Sequence, residues 1–164
     1  MSAPDGGRPS VRGDDWRFED FAAGQVFSSQ RRTLTETDVV TFAGWSWDTN
    51  PVHTDAVSAG EGRFGERIGH GLLGMSVAMG LASRIGVFEG CSVALLGVDR
   101  WRFVAPLLIG TSVSVEVEIT GTRRTSSGAT GVLHRHFRLL DPADATLQEG
   151  DIDLLVRTRT GGAP

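Results

Sequence analysis

Lysine and tyrosine are both absent from the 164 residues, so every one of the 16 basic side chains is arginine. No lysine can form a Schiff base with a carbonyl substrate, and no phenol can serve as acid or base. Cysteine occurs once, as Cys91, which excludes an internal disulfide and removes any need for an oxidising compartment. No local charge marks that thiol as a nucleophile, and it reads as a small buried residue. No apolar run approaches the ~18 residues of a membrane span. The first residues, MSAPDGGRPSVRGDD, lack the apolar segment of a signal peptide. An excess of positive charge is also missing: the net charge is −4 and no basic stripe stands out, so nucleic acid is not an expected partner. The expected location is the cytoplasm, without membrane association.

What remains is enough for one domain with a real core. Residues 1–15 read as a disordered tail and 16–160 as the folded part. Gly24 to Leu34 suggests a first strand, although its alternation is poor. Thr35 and Asp38 form a capping-box pattern before a helix of two or three turns. Thr54 is a plausible N-cap for a brief helix through Ala59, and Gly60, Gly62 and Gly65 make a flexible connection. From Gly71 to about Phe88 the chain is apolar almost all round, which predicts a buried helix. Its glycines suit close packing against a sheet or a pocket wall.

Strands follow. Cys91 to Val104 is rich in β formers. Thr111 to Thr120 alternates strictly, with Val113, Val115, Val117 and Ile119 on one face. Val132 to Leu140 places Leu133, Phe137 and Leu139 on one face and His134 and His136 on the other. Ile152, Leu154 and Val156 mark a last strand. The order predicts an α+β domain in which a curved antiparallel sheet wraps around the Gly71 helix. Open sheet edges need a partner or a cover, so a homodimer is expected.

The chemistry concentrates between Trp45 and Gly74. Asp48 and His53 lie five residues apart with Pro51 between them. Proline lacks an N–H and pushes Asn50 away from helical angles, so this stretch is expected to be a bent loop rather than one helical face. An acid and an imidazole on such a loop suit proton transfer. His70 precedes Gly71, where the first N–H groups of a helix can receive an oxyanion and no side chain obstructs the approach. Together these parts match proton transfer next to a thioester carbonyl, with water added or lost at the neighbouring carbon.

These residues carry a resemblance. Asp48-Thr49-Asn50-Pro51-Val52-His53 resembles the D-x-N-P-x-H signature of the MaoC-like (R)-specific enoyl-CoA hydratases. Phe64-Gly65 and Ile68-Gly69-His70-Gly71-Leu72-Leu73 resemble that family's second conserved stretch, and the similarity runs from about Phe18 to Arg157. The resemblance implies a single hot dog fold, a homodimer, a thioester of coenzyme A or of an acyl carrier protein as substrate, and no metal or redox cofactor. It implies Asp48 and His53 as the catalytic pair holding one water, Asn50 orienting them, and Gly71 donating its N–H to the thioester oxygen. His70 either contacts the substrate or holds the turn before the helix, and Leu72 belongs with the substrate.

Two positions depart from the family pattern. Trp47 stands where a small or polar residue, often glycine, precedes the acid, and Met79 stands where a serine commonly follows the oxyanion glycine by eight residues. Both add apolar bulk near the expected pocket, which favours an acyl group on a carrier protein or a specialised biosynthetic intermediate. Thioester hydrolysis on the same fold, and a non-catalytic acyl-binding subunit, are the alternatives. His134 and His136 read as a solvated or interface face rather than a metal pair, since no third ligand is near in sequence. Met75 and Met79 read as core or pocket wall. Arg123 and Arg124 lie in an expected turn, from which they could reach the phosphates of coenzyme A.

Overall fold

A computed structural model of the chain describes residues 15–160. The tail expected over residues 1–15 therefore falls, except for Asp15, outside the described residues. A 3-10 turn, Phe18–Asp20, leads into two short strands, β1 (Val26–Ser28) and β2 (Arg32–Thr33). Three helices follow: α1 (Glu36–Ser46), α2 (Pro51–Thr54) and α3 (Ala56–Glu61). The longest helix, α4, runs Gly71–Ser83 and is followed by four long strands, β3 (Ser92–Phe103), β4 (Ser112–Arg124), β5 (Thr130–Leu140) and β6 (Thr146–Arg157).

The sheet order is β1-β4-β5-β6-β3, antiparallel throughout, with β2 also pairing to β4. The alternation read from the sequence sets which face is inside. Val113, Val115, Val117 and Ile119 are all buried, and cross-strand register sets Val117 opposite Phe137 and Val115 opposite Leu139. Leu133 faces Leu154 in the same way on the next pair. Against this apolar face lies α4, through Leu73, Val77, Ala78, Leu81 and Ala82. Cys91 is fully buried in the same core. No helix among the described residues is long and apolar enough to cross a membrane.

Four local expectations shift. The first strand is interrupted, because Ser29 leaves the regular ladder: its hydroxyl accepts from the Val115 N–H at 3.0 Å. Thr54 does not cap α3. It closes α2 and donates to the Thr49 and Asn50 carbonyls, while Asp55 caps α3 through the Val57 N–H at 2.9 Å. Helix α4 stops at Ser83 rather than near Phe88, and Gly86 follows with φ of +88°, a left-handed turn that carries the chain off the helical path. Nor is α4 buried all round. Leu72, Ser76, Gly80 and Ser83 form an exposed face at i, i+4, i+8 and i+11. Apolar composition concealed that face.

Candidate active site

Helix α1 begins with the expected reciprocal cap: Thr35 Oγ1 accepts from the Asp38 N–H, and Asp38 Oδ2 accepts from the Thr35 N–H at 2.8 Å. At its other end Trp47 adopts φ of 63°, a left-handed C-cap occupied by a bulky residue, which costs roughly 1–2 kcal/mol of backbone strain. That reversal swings Asp48 back across the end of the helix. The Ser46 hydroxyl accepts from the Asp48 N–H at 3.2 Å, and the Asn50 N–H donates to Asp48 Oδ1 at 3.4 Å. Asn50 then caps α2 by accepting from the Val52 N–H, with Pro51 at the first helical position, where its missing N–H costs nothing. The expected bent loop thus holds from Asp48 to Asn50, and His53 sits on a single helical turn.

His53 Nδ1 bonds the Ile68 carbonyl at 2.8 Å, which places the ring proton on Nδ1 and leaves the Nε2 lone pair free. Nε2 stands 4.0 Å from Asp48 Oδ2. This gap is too long for a direct hydrogen bond and suits a single water held by both groups. His70 is 1% exposed and donates from Nε2 to the Asp48 backbone carbonyl at 2.9 Å. Its ring stacks on His53 at 3.8 Å between centroids, 26° from parallel, with Phe42 on its flank at 4.9 Å. His70 therefore fixes both the acid's main chain and the base's ring plane.

Gly71 opens α4 directly after His70. A Cβ there would lie 2.7 Å from the Phe103 ring, so no larger residue fits without displacing it. The first N–H groups of a helix have no intrahelical partner. Beneath this turn lies Gln148, fully buried, whose Nε2 donates to the Gly71 carbonyl at 3.1 Å. Its Oε1 accepts from Trp101 Nε1 at 3.2 Å, and since indole can only donate, the amide orientation is fixed. Gly74 leaves room for that amide, because a Cβ there would sit 2.2 Å from it.

A cavity of about 590 Å³ joins these parts, with Asp48, His53, His70, Gly71, Leu72 and Gln148 among its walls. That volume lies in the range of small-ligand sites. Of the residues singled out from the sequence, Asp48, His53, His70, Gly71 and Leu72 converge here, and Asn50 holds the turn behind them. Trp47 does not line the cavity: it is 88% exposed, since the left-handed cap turns it outward. Met79 lies two turns further along α4, in the wall of a different cavity. Neither side chain therefore lines the cavity that holds Asp48 and His53. Arg123 and Arg124 end β4, paired with β5, rather than lying in a turn, and Arg124 is bound to Glu19 and the Gly128 carbonyl, among residues that do not line the cavity. His134 and His136 pair across the sheet with Asp153 and Asp151 at 2.7 and 2.8 Å.

Gln148, Phe103 and Arg63 were not legible as cavity residues. Phe103 and Gln148 become neighbours only through the β3–β6 register, which no local pattern specifies. Asp48, His53 and His70 also bring ligand atoms within 4.8 Å of one another, the spacing of a small cation site. The two imidazoles are stacked, however, so a shared ion would lie well out of the plane of at least one ring. The arrangement fits a bound water better than a metal.

Residues 19–136 match the MaoC like domain. The chain belongs to the MaoC-like dehydratase family. It is 38% identical over 108 residues to protein MaoC of Klebsiella aerogenes, covering 66% of this chain and 31% of that one. The match therefore spans under a third of that relative's length. It is 35% identical over 104 residues to the (R)-specific enoyl-CoA hydratase of Rhodospirillum rubrum, covering 63% of this chain and 69% of the relative. Among solved structures, the monoamine oxidase regulatory protein from Archaeoglobus superposes with a TM-score of 0.81 at 26% identity, covering 87% of this chain and 94% of that one. A Mycobacterium tuberculosis protein with a double hotdog fold gives 0.82 at 19% identity over 94% of this chain and 48% of its own, a likeness of fold alone. The MaoC-like chain described above is thus an α+β hot dog fold, a curved antiparallel sheet with its helix.

Proposed function

We propose that this member of the hydratase and dehydratase family adds water to a trans-2-enoyl thioester, or removes it from an (R)-3-hydroxyacyl thioester. The observation that carries this reading is the 4.0 Å gap between Asp48 Oδ2 and His53 Nε2, beside the start of α4 and inside one cavity. In the hydration direction, the pair holds water and takes one of its protons as the hydroxyl oxygen bonds to C3. The electron pair of the C2–C3 double bond moves onto C2 and the thioester oxygen. The enolate charge is met by the Gly71 N–H at the helix start. A proton then returns to C2 from the same acid–base pair, and the dehydration direction reverses these steps.

The thioester carrier follows the named relatives, one an (R)-specific enoyl-CoA hydratase and another a 3-hydroxyacyl-thioester dehydratase of Mycobacterium tuberculosis, 29% identical over 109 residues. A homodimer is proposed through β3, the edge of the sheet, whose Val93, Leu95, Leu96 and Val98 are each about half exposed. Asp48→Asn keeps the shape of the side chain and removes its basicity. Its turnover should fall by ~10²–10⁴-fold, with thermal unfolding unchanged. The measurement is loss of the conjugated-thioester absorbance, alongside an assay for free thiol. Near-normal hydration by the folded variant would reject the assignment, and thiol release by the unaltered protein would point to hydrolysis instead.

A further inference from the structure

A second cavity, of about 290 Å³, lies toward the other end of α4, walled largely by Met79, Ala82, Phe88, Leu95 and Leu154. Its lining is apolar apart from a few groups, and the unexpected one is Arg135. This arginine occupies an inward position on β5 between Leu133 and Phe137, where the alternation calls for an apolar side chain. It is 2% exposed. Its Nε donates to the Ile152 carbonyl at 2.9 Å, and its guanidinium carbon lies 5.0 Å from both the Phe88 and Phe137 ring centroids. Nη2 is buried with no hydrogen-bond partner. Burial pushes the guanidinium pKa down to about 10, against the opposing pull of the Asp153 charge. Glu89 also lines the cavity but is exposed to solvent. A buried cation with an unfilled donor is costly, and an apolar residue of similar size would serve the core better. The cost is explained if an anion arrives there.

The two cavities share no lining residue but lie along one helix. Leu72 lines the catalytic cavity and Met79 the second one, seven residues apart on one helix, or roughly 10 Å at the helical rise. The exposed face of α4 carries Ser76 between them and Gly80 just beyond Met79, and a Cβ at Gly80 would meet nothing within 4 Å. We propose that the second cavity receives the free carboxylate at the far end of a dicarboxylic acyl thioester whose thioester end lies at Asp48 and His53. This rests on the hydratase reading of that pair. The aliphatic stem runs along the small residues of α4, the apolar wall takes its last carbons, and Arg135 supplies the charge-assisted hydrogen bond.

The test compares two saturated thioesters of equal length, decanoyl-CoA and sebacoyl-CoA, which differ in a terminal methyl against a terminal carboxylate. Calorimetric binding to the unaltered protein should favour sebacoyl-CoA by at least about tenfold, the scale of one charge-assisted contact. Arg135→Met should bind the two equally, with its affinity for decanoyl-CoA retained as the sign that the cavity is intact. Equal binding by the unaltered protein overturns the proposal without any variant having to fold, and so does a carboxylate preference that survives in Arg135→Met. Hydration of crotonyl-CoA, whose four-carbon acyl group is too short to span the roughly 10 Å to the second cavity, reports on Asp48 and His53 separately, so failure of the hydratase reading is seen apart from failure of the proposal.

Discussion

At the scale of single residues, the site depends on side chains that hold other groups still. Gln148 has no proton to exchange with a substrate, yet it grips the Gly71 carbonyl and takes the Trp101 indole N–H. Gln148→Leu leaves that indole N–H and the second lone pair of the carbonyl without partners, at about 1–3 kcal/mol. The expected outcome is a lower unfolding midpoint together with a fall in kcat larger than any change in KM, read by denaturant titration and steady-state kinetics. An unchanged kcat would limit Gln148 to a packing role. Asp38 shows how a helix cap couples to pH. Burial raises its pKa, but the Thr35 N–H and hydroxyl and the Arg32 guanidinium outweigh it, so the carboxyl sits below its ordinary value. A group lowered on folding adds stability above its unfolded pKa of ~3.9 and loses it as pH falls through the folded value. Asp38→Ala should therefore cost about 1 kcal/mol at neutral pH and show a shallower loss of stability below pH ~4. Melts across that range check it.

At the scale of elements, alternation and helix periodicity do the organising. The inward stripe of β4 and β5 meets α4, and Phe137 sits at the centre of it, fully buried. Phe137→Ala should cost ~3–5 kcal/mol, measured by denaturant unfolding. Part of that loss would come from Arg135, its neighbour on the same face of β5, whose guanidinium lies over the same ring. The β4 alternation was fully legible in the sequence because its outward face stays polar. The exposed stripe of α4 was hidden, because Leu72, Gly80 and the serines beside it do not differ enough in polarity from the buried residues to show a helical period.

At the scale of the whole molecule, β3 ends the sheet with one side unpaired and several half-exposed apolar residues, the combination that invites a second copy. Leu96→Glu places a charge in that strand. Light scattering or analytical ultracentrifugation should give twice the chain mass for the unaltered protein and a shift toward the single-chain mass for the variant. A single-chain mass for the unaltered protein at micromolar concentration would exclude the β3 dimer.

The sequence by itself determined the class of fold, the buried face of β4, β5 and β6, the capped start of α1 and the segment carrying the acid, the histidines and the helix-opening glycine. Those features follow from local rules: side-chain period, cap chemistry and proline's missing donor act within a few residues. Only the tertiary structure decided that Trp47 turns outward, that Met79 belongs to another cavity, that Gln148 supports the helix start and that Arg135 enters the core. Each of these depends on a left-handed cap or on strand register, which bring together residues such as Gly71 and Gln148 that lie far apart in the chain. No short window of sequence encodes that meeting, because its free energy comes from burying both partners at once.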